Sequence, residues 1–534
     1  MALSKHVKPD QLLASVQEHR HHKLLDLDQG FQLTPYTSKY AHNQLPKFSI
    51  PSTGVNPDTA YQLIHDLLEF DGKETANLAS FVNTWSQKQA LQLCVENIAK
   101  NIVDQDEYPQ TQILHNRCVS MLAQLWNAPE SANAVGTATT GSSEAIQLGG
   151  LAMKKTWQAK RKAAGKSIHE PGPNIVMGSN AQVALEKFAR YFDVETRLVP
   201  VTEKSNYCLD PKRAMEYVDE NTIGIFVIFG STYTGHFEPV KEMADLLDDY
   251  ERTTGVSVPI HVDGASGAFL APFVYPDLEW DFKIPRVVSI NASGHKFGLT
   301  YVGCGWVIWR DQAHLPKDLV FELHYLGSVE YSFSLNFSRP AHPIIHQYFN
   351  LIQLGFEGYR NIGLGDLANA RLLSRALEKS EYYLVISDIH RKKSDKGKPR
   401  QQVLGVADAE FEEYVPGLPV VAFCWTEEFR KKNPKLKQSW VQVLLRARGW
   451  IVPNYELPPE LEEQEILRVV VRESLSLELV DRIVTDIMEI TEALVDEGGP
   501  SCVEAATRGK TLEHSAGNHT HEGSIQPTGY AKPC

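Results

Sequence analysis

Disulfide chemistry has little to work with in this sequence. Its seven cysteines, at 94, 118, 208, 304, 424, 502 and 534, are scattered, odd in number and never spaced C-x-x-C. That excludes a disulfide framework and a zinc site, and it fits the reduced thiols of a cytoplasmic protein. Long apolar runs are missing too. No stretch reaches the roughly 18 apolar residues of a membrane-crossing helix. The start, M-A-L-S-K-H-V-K-P-D-Q, lacks the apolar centre of a signal peptide and is neither Arg-rich nor free of acid, so no secretory or transit segment is expected. Positive charge is in deficit: 53 Lys and Arg stand against 66 Asp and Glu, a net charge of −13. Such a surface would release no phosphate counterions, which excludes nucleic acid and anionic membrane as partners. The basic run Lys154–Lys166 reads as the solvated face of a helix. Internal repeats are absent.

What is present is a soluble globular composition, 43% hydrophobic and 22% charged over 534 residues, long enough for two or three domains. Residues 1–76 are polar, with helical stretches at Asp10–His22 and Pro57–Leu68, and read as an arm that packs on something else. From 77 to 345, helical segments alternate with short apolar runs. The helices are Gln87–Ile102, Gln110–Trp126, Ser143–Ala164, Ala181–Tyr191, Pro211–Val218 and Val240–Thr254. The runs are Asn174–Gly178, Thr196–Val201, Gly224–Gly230, Val258–Val262, Val287–Asn291 and Gly305–Trp309. Apolar runs of this length between helices predict the buried strands of a mostly parallel sheet in an α/β domain. A second unit, 346–500, reads as smaller and α+β. A long helix enters it from Pro343 and continues, with a break, toward Lys379. Val420–Trp425, Ser439–Gly449, Ile466–Arg472 and a closing helix Leu477–Leu494 follow. Arg391–Arg400 reads as a solvated charged loop, and 501–534 as a disordered tail.

Two segments carry chemistry. S-I-N-A-S-G-H-K ends at Lys296, among small residues and between apolar runs. H-V-D-G-A-S places Asp263 at the end of a strand. A recessed Lys can condense with an aldehyde, and an Asp at a strand end can keep a pyridine nitrogen protonated; together they read as the anchors of a pyridoxal phosphate site. T-G-S-S-E at 140–144 precedes a strong helix. Its hydroxyls and free N–H groups would bind an anion, or would simply cap the helix. Ligands of parallel sheets sit beyond the carboxyl ends of the strands, where Ser231, Asp263 and Lys296 all fall.

With these segments in view, the chain resembles the group II pyridoxal-phosphate-dependent decarboxylases and, within them, the glutamate decarboxylases. The matching text includes T-G-S-S-E-A-I-Q-L-G-G (140–150), F-G-S-T-Y-T-G (229–235), H-V-D-G-A-S-G-A-F-L-A-P-F (261–273), S-I-N-A-S-G-H-K-F-G-L (289–299) and N-F-S-R-P (336–340). The resemblance runs from about 48 to 500. It implies the aspartate-aminotransferase-like fold of type I, a large, mostly parallel seven-stranded sheet with a small C-terminal α+β domain. It also implies homodimers or larger assemblies with shared active sites, and decarboxylation of L-glutamate to 4-aminobutanoate.

The resemblance also implies residue roles. Lys296 would form the Schiff base. Ser142, Ser143, Ser293 and His295 would lie near the phosphate, and Ser338 would reach the phosphate of a neighbouring subunit. Asp263 would pair with the pyridine N–H, Ala265 would lie under the ring and Gln182 would stack on its other face. Thr232 would lie by the ring hydroxyl and the substrate. Ser80, Phe81 and Asp104 would surround the substrate's side-chain carboxylate, which asks one carboxyl of the Asp104–substrate pair to be protonated. Arg468, with Arg472 as the alternative, would take the α-carboxylate. Two other readings remain open: a decarboxylase for aspartate or an aromatic amino acid, and a silent relative that kept the fold. The tail has no Trp and few Lys, so no calmodulin binding is expected. Its His514, His519 and His521 titrate in the range of a pH switch, although an unstructured tail explains them as well.

Overall fold

The computed structural model describes residues 48–129, 133–323, 330–395, 398–400, 403, 405, 410–496 and 498. Its centre is a seven-stranded sheet built from β1 (Val135–Thr139), β2 (Asn174–Gly178), β3 (Glu195–Val199), β4 (Thr222–Ile228), β5 (Ile260–Asp263), β6 (Val287–Ser293) and β7 (Gly305–Trp309). The order is β1-β7-β6-β5-β4-β2-β3. From β3 to β6 every pairing is parallel. β7 runs against both of its neighbours, β6 and β1. All seven residues of β4 (T-I-G-I-F-V-I) are buried, as expected where helices cover both faces of a parallel sheet.

Six of these strands fall where the apolar runs predict them, with β2 and β7 matching to the residue. β1 does not read as a strand, because V-G-T-A-T is short and nearly free of large side chains. Its smallness has a packing cause. A Cβ on Gly136 would stand 2.5 Å from Ile308 Cδ1 and 2.7 Å from the Val307 carbonyl oxygen, so only glycine allows this approach of β1 to β7.

The helices of this part of the chain include α1 (Pro57–Leu68), α2 (Lys88–Glu96), α3 (Pro109–Leu125), α4 (Ser142–Ala163), α5 (Val183–Tyr191) and α6 (Val240–Thr254). α1 starts on Pro57 behind an Asn56 cap that accepts from Asp58 N at 2.9 Å. α2 is shorter than the predicted Gln87–Ile102. It ends at Asn97, whose φ of −115° and ψ of 12° leave the helix, and turns then run to Asn101. The predicted helix Pro211–Val218 is one α-turn, Pro211–Ala214, continued by a 3-10 turn, Met215–Tyr217. A short ribbon pairs β8 (Phe321–Leu323) with β9 (Glu330–Ser332).

α7 (His342–Lys379) contains the predicted break, at Gly355 with φ 60° and ψ −169°. The predicted boundary at 345/346 falls in its first turn. α7 packs on α2 and α3 at one end, and at the other on β10 (Tyr383–Val385). The second sheet has the order β10-β11-β13-β12, with β11 (Val420–Trp425), β12 (Asn454–Glu456) and β13 (Glu465–Val470), all antiparallel. α8 (Ser439–Ala447) and α9 (Leu477–Asp496) pack together beside it. One hydrophobic core runs from the large sheet (Ile225, Val262, Ile290) into the small one (Val421, Phe423, Val469). Among the described residues, no helix is long and apolar enough to cross a membrane. Asp10–His22 and the tail histidines lie outside the described residues.

The segment from Glu74 to Thr84 crosses from the arm to β13. Val470 N donates to Leu78 O at 2.9 Å, and Ile451 N donates to Ala76 O at 3.0 Å. Two buried arginines of the β13 region fasten it. Arg472 donates to the carbonyls of Val82, Asn77 and Glu74, and Arg468 to that of Ala79.

Candidate active site

The parallel strands set out the site, because their carboxyl ends converge. β5 stops at Asp263, which is registered against Asn291 of β6 and Ile228 of β4. Lys296 follows β6 by three residues. Its Nζ donates to Ser266 Oγ at 3.2 Å and lies 5.1 Å from the centre of the Phe81 ring. Burial pushes the Lys296 ammonium down to about 8; the Asp263 carboxylate opposes that shift and the Arg468 guanidinium adds to it. At pH 7 this leaves about 300 times more free amine than an ordinary lysine has.

Asp263 is held by a polar ladder across two buried strands. Asn291 Nδ2 donates to Asp263 Oδ1 at 2.9 Å, and Ala265 N donates to the same oxygen at 3.1 Å. His261 Nε2 lies 2.7 Å from Asn291 Oδ1, and its Nδ1 lies 2.7 Å from Ser289 Oγ. Burial pushes His261 down to about 4, so the ring is neutral. The ladder then has one consistent direction: Ser289 donates to His261, His261 to Asn291 and Asn291 to Asp263. Asp263 is left as a pure acceptor. His261, Ser289 and Asn291 were not among the predicted site residues. The readable signal was there, since polar residues at alternate positions of strands buried on both faces need partners on one face.

The hydroxyls expected to meet an anion gather at the start of α4. Ser142 Oγ and Ser293 Oγ are 2.7 Å apart, which joins the helix start to the end of β6. His295 Nδ1 donates to Cys304 O at 2.7 Å. Burial, then the charge of Lys296, pushes the ring down to about 4. With Nδ1 carrying the proton, Nε2 has its lone pair free until a bound anion raises its basicity. Glu144, in the first turn of α4, is buried and accepts hydrogen bonds from Thr140 and from the Leu335–Asn336 backbone.

The mouth of the site is aromatic and cationic. The Arg468 guanidinium lies 5.1 Å from the Phe81 ring centre and 5.7 Å from that of Tyr455. Nη1 donates to Thr232 O at 2.7 Å and Nη2 to Ala79 O, while the buried Nε has no partner among the described residues. Arg472, the alternative, is spent on three main-chain carbonyls. Ser80 Oγ accepts from Val82 N at 3.1 Å and shapes the local turn. Gln182 caps α5, its Oε1 accepting from Ala184 N at 2.6 Å.

Most of the predicted residues form two groups, while the contacts of Ser80 and Gln182 are with their own local backbone and Ser143 joins neither group. Lys296, Asp263, Ala265, Ser293, His295, Ser142, Thr232, Phe81 and Arg468 are linked by the contacts above. Asp104 and Ser338 sit on a separate paired segment. Ile102 N donates to Arg339 O and Ala341 N to Lys100 O, each at 3.0 Å, and Asn101 Nδ2 reaches both Asp104 Oδ1 and Ser338 Oγ at 3.5 Å. Among the described residues, neither side chain bonds to Lys296, Asp263 or Arg468.

The donors suit a phosphorylated pyridine aldehyde. Hydroxyls and a helix N-terminus face the anion, a low-pKa amine meets the aldehyde, and the ladder engages only one oxygen of the carboxylate that would face a ring nitrogen. Among the described residues, no group of three or more His, Cys, Asp or Glu could hold a metal ion.

Comparison with known proteins agrees. Residues 52–393 match the model of the pyridoxal-dependent decarboxylase conserved domain. The chain is 48% identical to a glutamate decarboxylase of Saccharomyces cerevisiae over 470 residues, covering 84% of this chain and 79% of that protein. It is 47% identical to a glutamate decarboxylase of Solanum lycopersicum, covering 86% and 85%. Among solved structures, a glutamate decarboxylase of Lactobacillus brevis superposes with a TM-score of 0.78 at 36% identity, covering 86% of this chain and 97% of that one.

Proposed function

The chain belongs to the glutamate decarboxylases, within the pyridoxal-dependent decarboxylase family, and from that premise we propose that the Lys296 site is where its reaction occurs. The enzyme uses pyridoxal 5'-phosphate and converts L-glutamate to 4-aminobutanoate and CO2. The observation that carries the site assignment is the recessed Lys296 amine, with its depressed pKa, placed between Asp263, Phe81 and Arg468.

When bound, the cofactor supplies a pyridinium that takes up the electron pair left as the Cα–carboxylate bond breaks. The protein's residues do the rest. Asp263 keeps the ring nitrogen protonated, and the Asn291–His261–Ser289 ladder keeps Asp263 in place. Arg468 binds the α-carboxylate and holds the breaking bond across the ring plane. Thr232 presents its side chain beside the substrate, while its carbonyl steadies Arg468. Gln182 and Ala265 cover the two faces of the ring. Ser80 and Phe81, together with Asp104, recognise the side-chain carboxylate. Lys296 Nζ returns a proton to Cα, so each turnover consumes one proton.

Ser338 and Asp104 stand apart from Lys296 within one chain, which supports a homodimer or larger assembly in which a neighbouring copy completes the site. Exposed apolar side chains on α1 and α2 support the same reading; Tyr61, Leu67 and Val95 are each more than half exposed. Buried Cys94, Cys118, Cys208, Cys304 and Cys424, none of them in a disulfide, support a reducing, cytoplasmic setting.

The test is a visible absorption spectrum of the purified protein, followed by glutamate, aspartate and tyrosine with CO2 and amine detection. We expect a cofactor band and product from glutamate. Lys296→Ala should lose both, and either one persisting would overturn the assignment of Lys296.

A further inference from the structure

Glu144 has no role in the chemistry above, yet it is a buried carboxylate one turn from the proposed phosphate site. A negative charge there opposes a bound phosphate unless it does something else. Its hydrogen bonds show what. Oε2 accepts from Thr140 N at 2.9 Å, Thr140 Oγ1 at 3.1 Å and Asn336 Nδ2 at 3.0 Å. Oε1 accepts from Leu335 N and Asn336 N, each at 3.0 Å. One carboxylate thus receives five hydrogen bonds from two segments, the farther of which, Leu335–Asn336, lies 191 and 192 residues from Glu144 in sequence. Asn336 Nδ2 also reaches Thr140 Oγ1 at 3.2 Å, and Arg339 Nη1 donates to Ala138 O just ahead of the same turn.

We propose that Glu144 is a positioning residue for the cofactor phosphate. It fastens the Thr140–Ser143 turn, which faces the phosphate of its own subunit, to the Leu335–Arg339 segment, which carries Ser338 toward a neighbour's phosphate. The two phosphate contacts are then set by one carboxylate rather than independently. This deepens the reading given above and rests on it. The chemistry requires a carboxylate, because all five groups that meet Glu144 are donors. A glutamine would have to turn its amide N–H2 toward donors on one side or the other, which breaks one segment's hold whichever way it turns.

The test measures affinity for pyridoxal phosphate and for pyridoxal, which lacks the phosphate, by titrating the apoprotein and following visible absorption. Wild type should prefer the phosphorylated form. Glu144→Gln should weaken binding of pyridoxal phosphate on the order of 10- to 100-fold while leaving pyridoxal within about threefold. A general loosening of the fold would instead weaken both equally, and that result, or no change in either, would overturn the proposal. Should Glu144→Gln fail to fold, Asn336→Ala removes the side-chain donor of the far segment, with its bonds to Glu144 and Thr140 Oγ1, and leaves the two bonds from Thr140 to Glu144 in place. It should reduce the preference for the phosphorylated form several-fold, and an unchanged preference would count against the proposal. The Ser338→Ala background gives a second reading. There the Glu144→Gln effect should shrink, because part of it acts through Ser338; full additivity would overturn the link between the segments. If wild type itself shows no preference for the phosphate, the assignment of the site fails rather than the role of Glu144.

Discussion

At the scale of single residues, the site works by fixing protonation states before any substrate arrives. Burial presses Lys296 toward the neutral amine, and a neutral His261 at the head of the ladder leaves Asp263 as an acceptor. The first of these is measurable. Only the amine attacks an aldehyde, so the rate at which apoprotein takes up pyridoxal phosphate should rise about tenfold per pH unit below about 8 and level off above it. A rate that kept climbing to pH 10 would mean that Lys296 titrates as an ordinary surface lysine. Legibility at this scale was uneven. Lys296 and Asp263 could be read directly, because each needs a particular residue type at a strand end. Asn291 and His261 lie inside the same motifs but are not legible there, since their role depends on which strands are neighbours, and single segments do not show that. Glu144 reads as an ordinary first-turn acid of a helix. Only the fold brings Asn336 to it.

At the scale of elements, α7 shows how one backbone setting divides a helix. Gly355 adopts φ 60° and ψ −169°, a combination open essentially to glycine, and no heavy atom lies within 4 Å of where a Cβ would stand. Gly355→Ala therefore meets no clash and isolates the backbone cost. It should lower stability by about 1–3 kcal/mol, read as a shift in the denaturant midpoint with an unchanged slope. An unaffected midpoint would show that the kink relaxes freely. The break was legible as a weakening of helical pattern; its position was not. β1 stayed illegible because its small residues answer to the close approach of β7 rather than to burial pattern. The truncation of α2 likewise answers to the pairing of segment 100–104 with 338–341, a contact between distant parts of the chain.

For the whole molecule, the telling surface is the apolar face of the arm. The exposed faces of α1 and α2, with Ile64, Leu67, Leu68, Leu91 and Val95 all outward, are unusual for an isolated subunit. A double variant, Leu67→Asp with Val95→Asp, should shift the sedimentation coefficient to a smaller species. It should also cut decarboxylase activity by at least tenfold, because subunits separated in this way leave Ser338 and Asp104 without a site to complete. A variant that stayed assembled and active would place the subunit contact elsewhere. Six strands of the large sheet and their order along the chain are legible from run lengths, while the seventh strand and the fold type come through resemblance. An assembly is expected only through resemblance, since an outward apolar helix face looks in sequence much like an inward one.

The fastening of the Glu74–Thr84 segment to β13 has a consequence for how this enzyme can change over generations. Arg468 and Arg472 grip carbonyl oxygens at 74, 77, 79 and 82, and every residue type carries a carbonyl oxygen. The grip of the two arginines therefore does not depend on which side chains stand at 74, 77, 79 and 82, whereas Leu78 and Phe81 are held in addition by burial in the core. Exposed positions such as Glu74 can vary at little cost to this frame, while changes at Leu78 or Phe81 disturb the core and the surroundings of Lys296 together.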